Sequence, residues 1–130
     1  MWAKKSDNVG LHDKDMIYTW YDAFNVYVAG LNTGNFAGYN DWRLPNIIEL
    51  QSLVVYDGNN PAVDPAFDSG CTLGCTVTAC SCTRPGSNYW TSTSYASSPA
   101  LAWFVNSEAG VTNALSKNAS FYVRAVRGGL

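Results

Sequence analysis

Charge is scarce in this sequence. Asp, Glu, Lys and Arg together make up 14% of 130 residues, against about 25% in an average globular domain. No basic run exceeds Lys4-Lys5, and the net charge is −2. A nucleic-acid interface needs a basic stripe, so nucleic acid is not expected as a partner, and sulfated polysaccharide is disfavoured on the same ground. Long apolar runs are missing too: none approaches the ~20 residues of a membrane span. Met1-Trp2-Ala3-Lys4-Lys5 has no apolar segment of the signal-peptide kind behind it. An exported form is therefore expected as a mature chain or fragment, or as part of a virion. Histidine occurs once, at His12, with Asp13 and Asp15 nearby, and a solvated loop is its expected setting. With that single His outside any motif and no G-x-S-x-G, nucleophilic catalysis lacks an activating base. No catalytic residue is expected.

What is abundant is apolar and aromatic. Apolar residues reach 47%, with five Trp and eight Tyr, enough for one domain with a real core. Asn, Ser, Thr and Gly must then cover most of the surface. Tyr, Ser and Asn make adaptable recognition surfaces, because Tyr adds contact area at low entropy cost and the others add hydrogen bonds.

The cysteines are confined to one stretch: Cys71, Cys75, Cys80 and Cys82 in CTLGCTVTACSC. Zinc sites usually pair C-x₂₋₄-C knuckles across a longer spacer. Here the second pair is C-x-C, too tight for a good knuckle, and the only His is far away. Two local disulfides are the preferred reading, in any of three connectivities, and they point to an oxidising compartment. Asp57, Asn59, Asn60, Asp64 and Asp68 carry oxygen ligands that would suit Ca²⁺. Their spacing matches no EF-hand, and turn formation explains them equally well, so no cofactor is expected.

Along the chain, Thr19 with Asp22 three residues on marks a helix start. Trp20, Phe24, Tyr27 or Val28, and Leu31 recur at helical spacing, which predicts a helix over 19–31. Asn46 with Glu49 signals a second start, and Ile47, Leu50, Leu53 and Val54 supply its buried stripe, predicting a helix over 46–55. Strands are predicted at Tyr89–Tyr95, Leu101–Asn106, Gly110–Ala114 and Phe121–Val126. Helices first and strands afterwards give an α+β domain with a mainly antiparallel sheet and long irregular loops. The segment near Trp2 is expected beside the strand near Val123, bringing the ends together.

Several strings are distinctive: Gly38-Tyr39-Asn40-Asp41-Trp42-Arg43-Leu44-Pro45-Asn46 followed by Glu49-Leu50, Tyr89-Trp90-Thr91-Ser92-Thr93, Ala102-Trp103-Phe104-Val105, and the ending Tyr122-Val123-Arg124-Ala125-Val126-Arg127-Gly128-Gly129. Together they resemble the DUF1566 family, also called the Lcl C-terminal domain family, over nearly the whole chain. The cysteine loop at 71–82 looks like an insertion beside the family pattern. The resemblance implies a C-type-lectin-like fold, two helices packed on a mainly antiparallel sheet, related in outline to formylglycine-generating enzymes and phage tropism proteins. Members of this group also serve as variable proteins of diversity-generating retroelements, whose mutated codons enrich Asn, Ser, Thr and Tyr near the C-terminus. From Asn88 to Tyr122, 17 of 35 residues are of those four types, and only Glu108 and Lys117 are charged. That bias fits diversification and an ordinary polar sheet alike.

These readings converge on a non-catalytic ligand- or receptor-binding domain, extracellular, at a cell surface or on a virion, with a protein or glycan ligand. The expected binding surface consists of Asn88, Tyr89, Ser94, Tyr95, Asn106, Ser107, Asn113 and Asn118, above a core containing Trp90, Trp103 and Val123. Trp42, Arg43, Arg124 and Arg127 are expected to serve structure. The competing readings are an oxidase of the formylglycine-generating type and a structural subunit of a surface assembly.

Overall fold

The computed structural model describes residues 1–56 and 58–128. The chain enters along the C-terminal segment: Trp2 bridges Val126 antiparallel, and the Ala3 amide donates to Ala125 O at 2.9 Å. A two-residue strand, β1 (Tyr18–Thr19), then leads into a continuous helical run made of α1 (Trp20–Asp22), a π-helical stretch Ala23–Val28 and α2 (Ala29–Thr33). Thr19 caps the start, its Oγ1 accepting from the Asp22 amide at 3.2 Å. Ala23, Tyr27 and Leu31 are all buried, and their spacing of four places them on one ridge against the sheet.

The segment Trp42–Asn46 links this helix to the next. Asn32 grips the Trp42 backbone with both ends of its amide, at 2.8 and 3.0 Å. Arg43 reaches Glu49 with two N–H···O contacts of 2.7 Å and also donates to Gly128 O. Asn46 and Glu49 form a full capping box at the start of α3 (Ile47–Gln51). That helix is shorter than the predicted 46–55. The chain leaves the helix so that Val54 can bridge Val63 and Val55 N can reach Ala62 O at 3.0 Å. An extended pairing has displaced the last helical turn.

Three antiparallel strands follow in the order β2 (Asn88–Ser94), β3 (Leu101–Asn106), β4 (Thr112–Ser116). Trp90 faces Phe104 and Tyr89 faces Val105, and the register shifts between Trp90 and Ser94. β5 (Ser120–Phe121) pairs with β1. Only this short piece of the predicted Phe121–Val126 strand is regular, and the rest is tied by single bridges such as Tyr89 to Tyr122. Gly110, in the β3–β4 turn, has φ +74, and a Cβ there would meet Val54 Cγ1 at 2.2 Å. Both backbone and space reserve this position for glycine.

The sheet separates two apolar clusters. On one face Trp90, Ala102 and Phe104 pack with Tyr27, Leu31, Trp42, Leu44 and Val123. On the other, Tyr89 and Val105 pack under Leu50 and Leu53. The architecture is α+β with antiparallel sheets, as the order of patterns predicts, and Met1 lies beside Arg127.

Among the described residues three cations are buried, Lys117 beside the Trp20 ring and two deeper in this interior. The Arg124 guanidinium donates to Ala3 O at 2.8 Å, Phe67 O at 3.3 Å, Ser81 Oγ at 3.2 Å, Thr83 Oγ1 at 3.1 Å and the Cys82 carbonyl. It joins the N-terminal segment, the cysteine loop and the 3₁₀ turn Pro65–Phe67. Lys5 is 1% exposed, with its Nζ 4.5 Å from the centre of the Tyr27 ring and no hydrogen-bond partner.

Candidate binding surface and cysteine loop

The eight residues expected to form one surface fall at different places on the sheet. Asn88 and Asn106 sit directly opposite each other, and the Asn106 amide donates to Asn88 Oδ1 at 2.7 Å. Ser94 lies at the far end of β2, opposite Ala102. Ser94 lies six positions along the strand from Asn88, about 20 Å at ~3.3 Å per residue. Asn113 is exposed on β4 beside Phe104, and Asn118 is exposed in the turn after β4.

Two of the eight are interior. Tyr89 is 5% exposed and Ser107 is 4% exposed. The Tyr89 ring belongs to the cluster under α3, and its hydroxyl accepts from Arg84 N at 2.9 Å. Ser107 Oγ donates to Arg84 O at 2.7 Å and accepts from Ser87 N at 2.9 Å. A polar group that satisfies buried backbone in this way is structural. The composition bias alone could not separate such residues from exposed ones. Trp103, expected to be buried with them, is only partly so, while Trp90 and Val123 are at 0%.

One rim of the sheet does gather several of the expected residues. It comprises Ser94 and Tyr95 at the end of β2, Leu101 at the start of β3, and Ser116 through Asn118 after β4. Tyr95 packs against the partly open Trp103, ring centres 5.3 Å apart. Lys117 was not singled out in the sequence, yet it organises this rim. Its Nζ donates to Ser94 Oγ at 2.8 Å and lies 4.0 Å from the centre of the Trp20 ring. Nothing in its sequence context marks it except that it is the only cation between Asn88 and Tyr122.

The cysteine loop contains two nested disulfides, Cys71–Cys82 and Cys75–Cys80. No described cysteine is free. Of the acidic and amide residues considered for Ca²⁺, Asp57 lies outside the described residues. Asp64 caps the 3₁₀ turn through Ala66 N at 2.9 Å, Asn60 accepts from Gly86 N at 2.9 Å, and Asp68 accepts from Thr83 N at 3.3 Å. These three serve turns and loop contacts.

His12 departs from the solvated loop expected for it. Its ring stacks on Phe36 with centres 4.4 Å apart, and Nδ1 is buried without a partner. Burial, helped by the nearby Lys5 charge, lowers its pKa.

The fold and loop define a disulfide-stapled α+β domain whose capping box and bracketed Trp42 come from the Gly38–Asn46 string and its continuation, and whose inward Arg124 comes from the terminal string. The sequence model of the family described as the Lcl C-terminal domain matches residues 1–127, and the chain belongs to that family. No curated protein matches the chain.

Proposed function

We propose that this is a non-catalytic ligand-binding domain with a C-type-lectin-like fold, which contacts a protein or glycan on a cell surface through the rim formed by Ser94, Tyr95, Trp103, Lys117 and Asn118. The observation that carries this reading is the Tyr95–Trp103 pair. Two aromatic rings, each partly open to solvent, stand beside hydroxyl and amide groups, which is the chemistry of adaptable recognition surfaces. Variation at the exposed rim positions would leave the Trp90 cluster untouched, as a diversified or adhesive surface requires. An extracellular, cell-surface or virion setting fits the two disulfides. No described helix is long and apolar enough to cross a membrane.

An oxidase of the formylglycine-generating type needs a reactive thiol, and the disulfide pairing speaks against it. The test is binding of the purified domain to an array of glycans and cell-surface proteins, repeated with Tyr95→Ala and Asn118→Ala. Loss of a ligand in both variants, with the melting temperature unchanged, supports the rim. Ligand binding untouched by either substitution refutes it.

A further inference from the structure

The cysteine loop is held by more than its disulfides. Ser69 and Ser81 exchange two backbone hydrogen bonds of 2.8 and 3.0 Å. Gly74 N donates to Asp7 O at 2.6 Å, Asp7 N to Cys75 O at 3.1 Å, and Cys82 N to Lys5 O at 2.9 Å. Arg124 adds contacts to Ser81 Oγ and the Cys82 carbonyl. This frame fixes the backbone near Cys75 and Cys82 whatever the state of the sulfur atoms.

Within the frame the two disulfides touch. Cys75 Sγ lies 3.7 Å from Cys82 Sγ, although each is bonded to a different partner. The sulfur atoms of Cys71, Cys75 and Cys82 are all within 4.8 Å of one another. Thiolates at about 2.3 Å from a tetrahedral zinc ion stand about 3.8 Å apart. The Cys75–Cys82 separation already has that length. The C-x-C pair, too tight to chelate as a knuckle by itself, is brought against Cys71 and Cys75 by the fold.

We propose that the reduced loop is a zinc site, with Cys71, Cys75 and Cys82 as three ligands and Cys80, released from Cys75, as the fourth. A dithiol reductant converts each cystine to two thiols and becomes a disulfide itself. One Zn²⁺ then displaces four protons, one from each thiol, leaving a centre of charge −2. The surroundings suit that charge. Arg124 is buried, touches the loop, and has no carboxylate partner among the described residues. A cation beside a thiol favours the thiolate, which is the form that binds metal. The same four sulfur atoms thus have two closures: a pair of disulfides under oxidising conditions and one soft divalent ion under reducing ones.

The experiment uses the whole chain, reduced anaerobically with a phosphine and titrated with Co²⁺, then Zn²⁺. One equivalent of cobalt should give thiolate charge-transfer absorption and the intense visible bands of a tetrahedral site, and one equivalent of zinc should bleach them. The disulfide form should show neither. Cys75→Ser and Cys82→Ser should each weaken zinc binding by more than the roughly 10–100-fold that follows loss of a supporting neighbour, while Cys80→Ser keeps a weaker three-thiolate site. Near-ultraviolet circular dichroism of the tryptophans checks that the domain is folded when it binds. The proposal is overturned by a reduced chain that binds no more zinc than the oxidised one. It is equally overturned by binding that Cys75→Ser leaves unchanged, or by a reduced chain that stays unfolded at saturating zinc.

Discussion

The ammonium of Lys5 sits 4.5 Å from the centre of the Tyr27 ring, in a part of the core where the Tyr27 hydroxyl and His12 Nδ1 also lack hydrogen-bond partners. Burial is the main cause, with the Arg124 charge second, of a Lys5 pKa lowered from 10.5 to about 7. The unfolded chain keeps its proton to near the ordinary value, so between those two values the unfolded state binds one more proton than the folded one. Stability should therefore rise with pH across that window and level off below its lower edge. At ~1.4 kcal/mol per unit the rise across the whole window is on the order of 5 kcal/mol. Urea midpoints at about pH 6, 7.5 and 9 measure it, and Lys5→Met should flatten the curve by raising its low-pH side.

Arg124 should tolerate no replacement. Removing its guanidinium leaves the carbonyls of Ala3 and Cys82 without a donor, while Phe67 O keeps only Thr83 Oγ1, at about 1–3 kcal/mol for each orphaned buried group. Lysine cannot span the same acceptors, since its three donors sit on a single nitrogen. Arg124→Lys should thus melt far below the parent, while Arg43→Ala, whose partner Glu49 is partly solvated, should cost no more than about 2 kcal/mol. Thermal melts of the two variants side by side test the ranking, which fails if Arg43→Ala is the worse.

Fragmentation of the non-reduced protein should link Cys71 to Cys82 and Cys75 to Cys80, with four hydrogens fewer than the reduced form. The outer bond closes a loop with a sequence separation of 11. Replacing both Cys71 and Cys82 by Ser should cost about 3 kcal/mol in the chain-entropy account. A Cys71–Cys75 link in the parent would contradict the nested pairing.

Trp90→Ala should cost roughly 3–5 kcal/mol, because the ring is fully buried and its Nε1 donates to Tyr18 O at 2.9 Å. Tyr95→Ala should change stability far less and act on ligand binding. Tyr89→Ala, which empties a buried position under α3, should behave like the tryptophan. Equal melting temperatures for Tyr89→Ala and Tyr95→Ala would show that the division between core and rim is misplaced.

The helix starts were legible because capping is a local exchange of hydrogen bonds, and Thr19 and Asn46 announce theirs within four residues. The disulfide number followed from crowding, since four cysteines in one short loop can hardly avoid each other. The end of α3 was not legible: the pairing of Val54 with Val63 is decided by a segment farther along the chain. The same holds for the surface. Asn106 and Ser107 are neighbours of similar polarity, yet one reaches across the strand pair to Asn88 while half-exposed and the other is buried against the Ser87 and Arg84 backbone. Only the three-dimensional partner separates them. Lys5 and Lys117 were hidden for a related reason, because a cation standing over an aromatic ring looks like any surface lysine until the ring is placed.

The antiparallel pairing of Trp2 with Val126 also fixes how the domain carries a load. The Met1 amino group donates to Arg127 O, and the Ala3 amide to Ala125 O. A pull applied between the two ends would meet these bonds one after another, as a zipper is opened, with no row of bonds sheared together. The domain is mechanically weak along that axis. A pull passing instead from the Tyr95 rim to a single end would cross the sheet and the Arg124 contacts, where many bonds must give way at once.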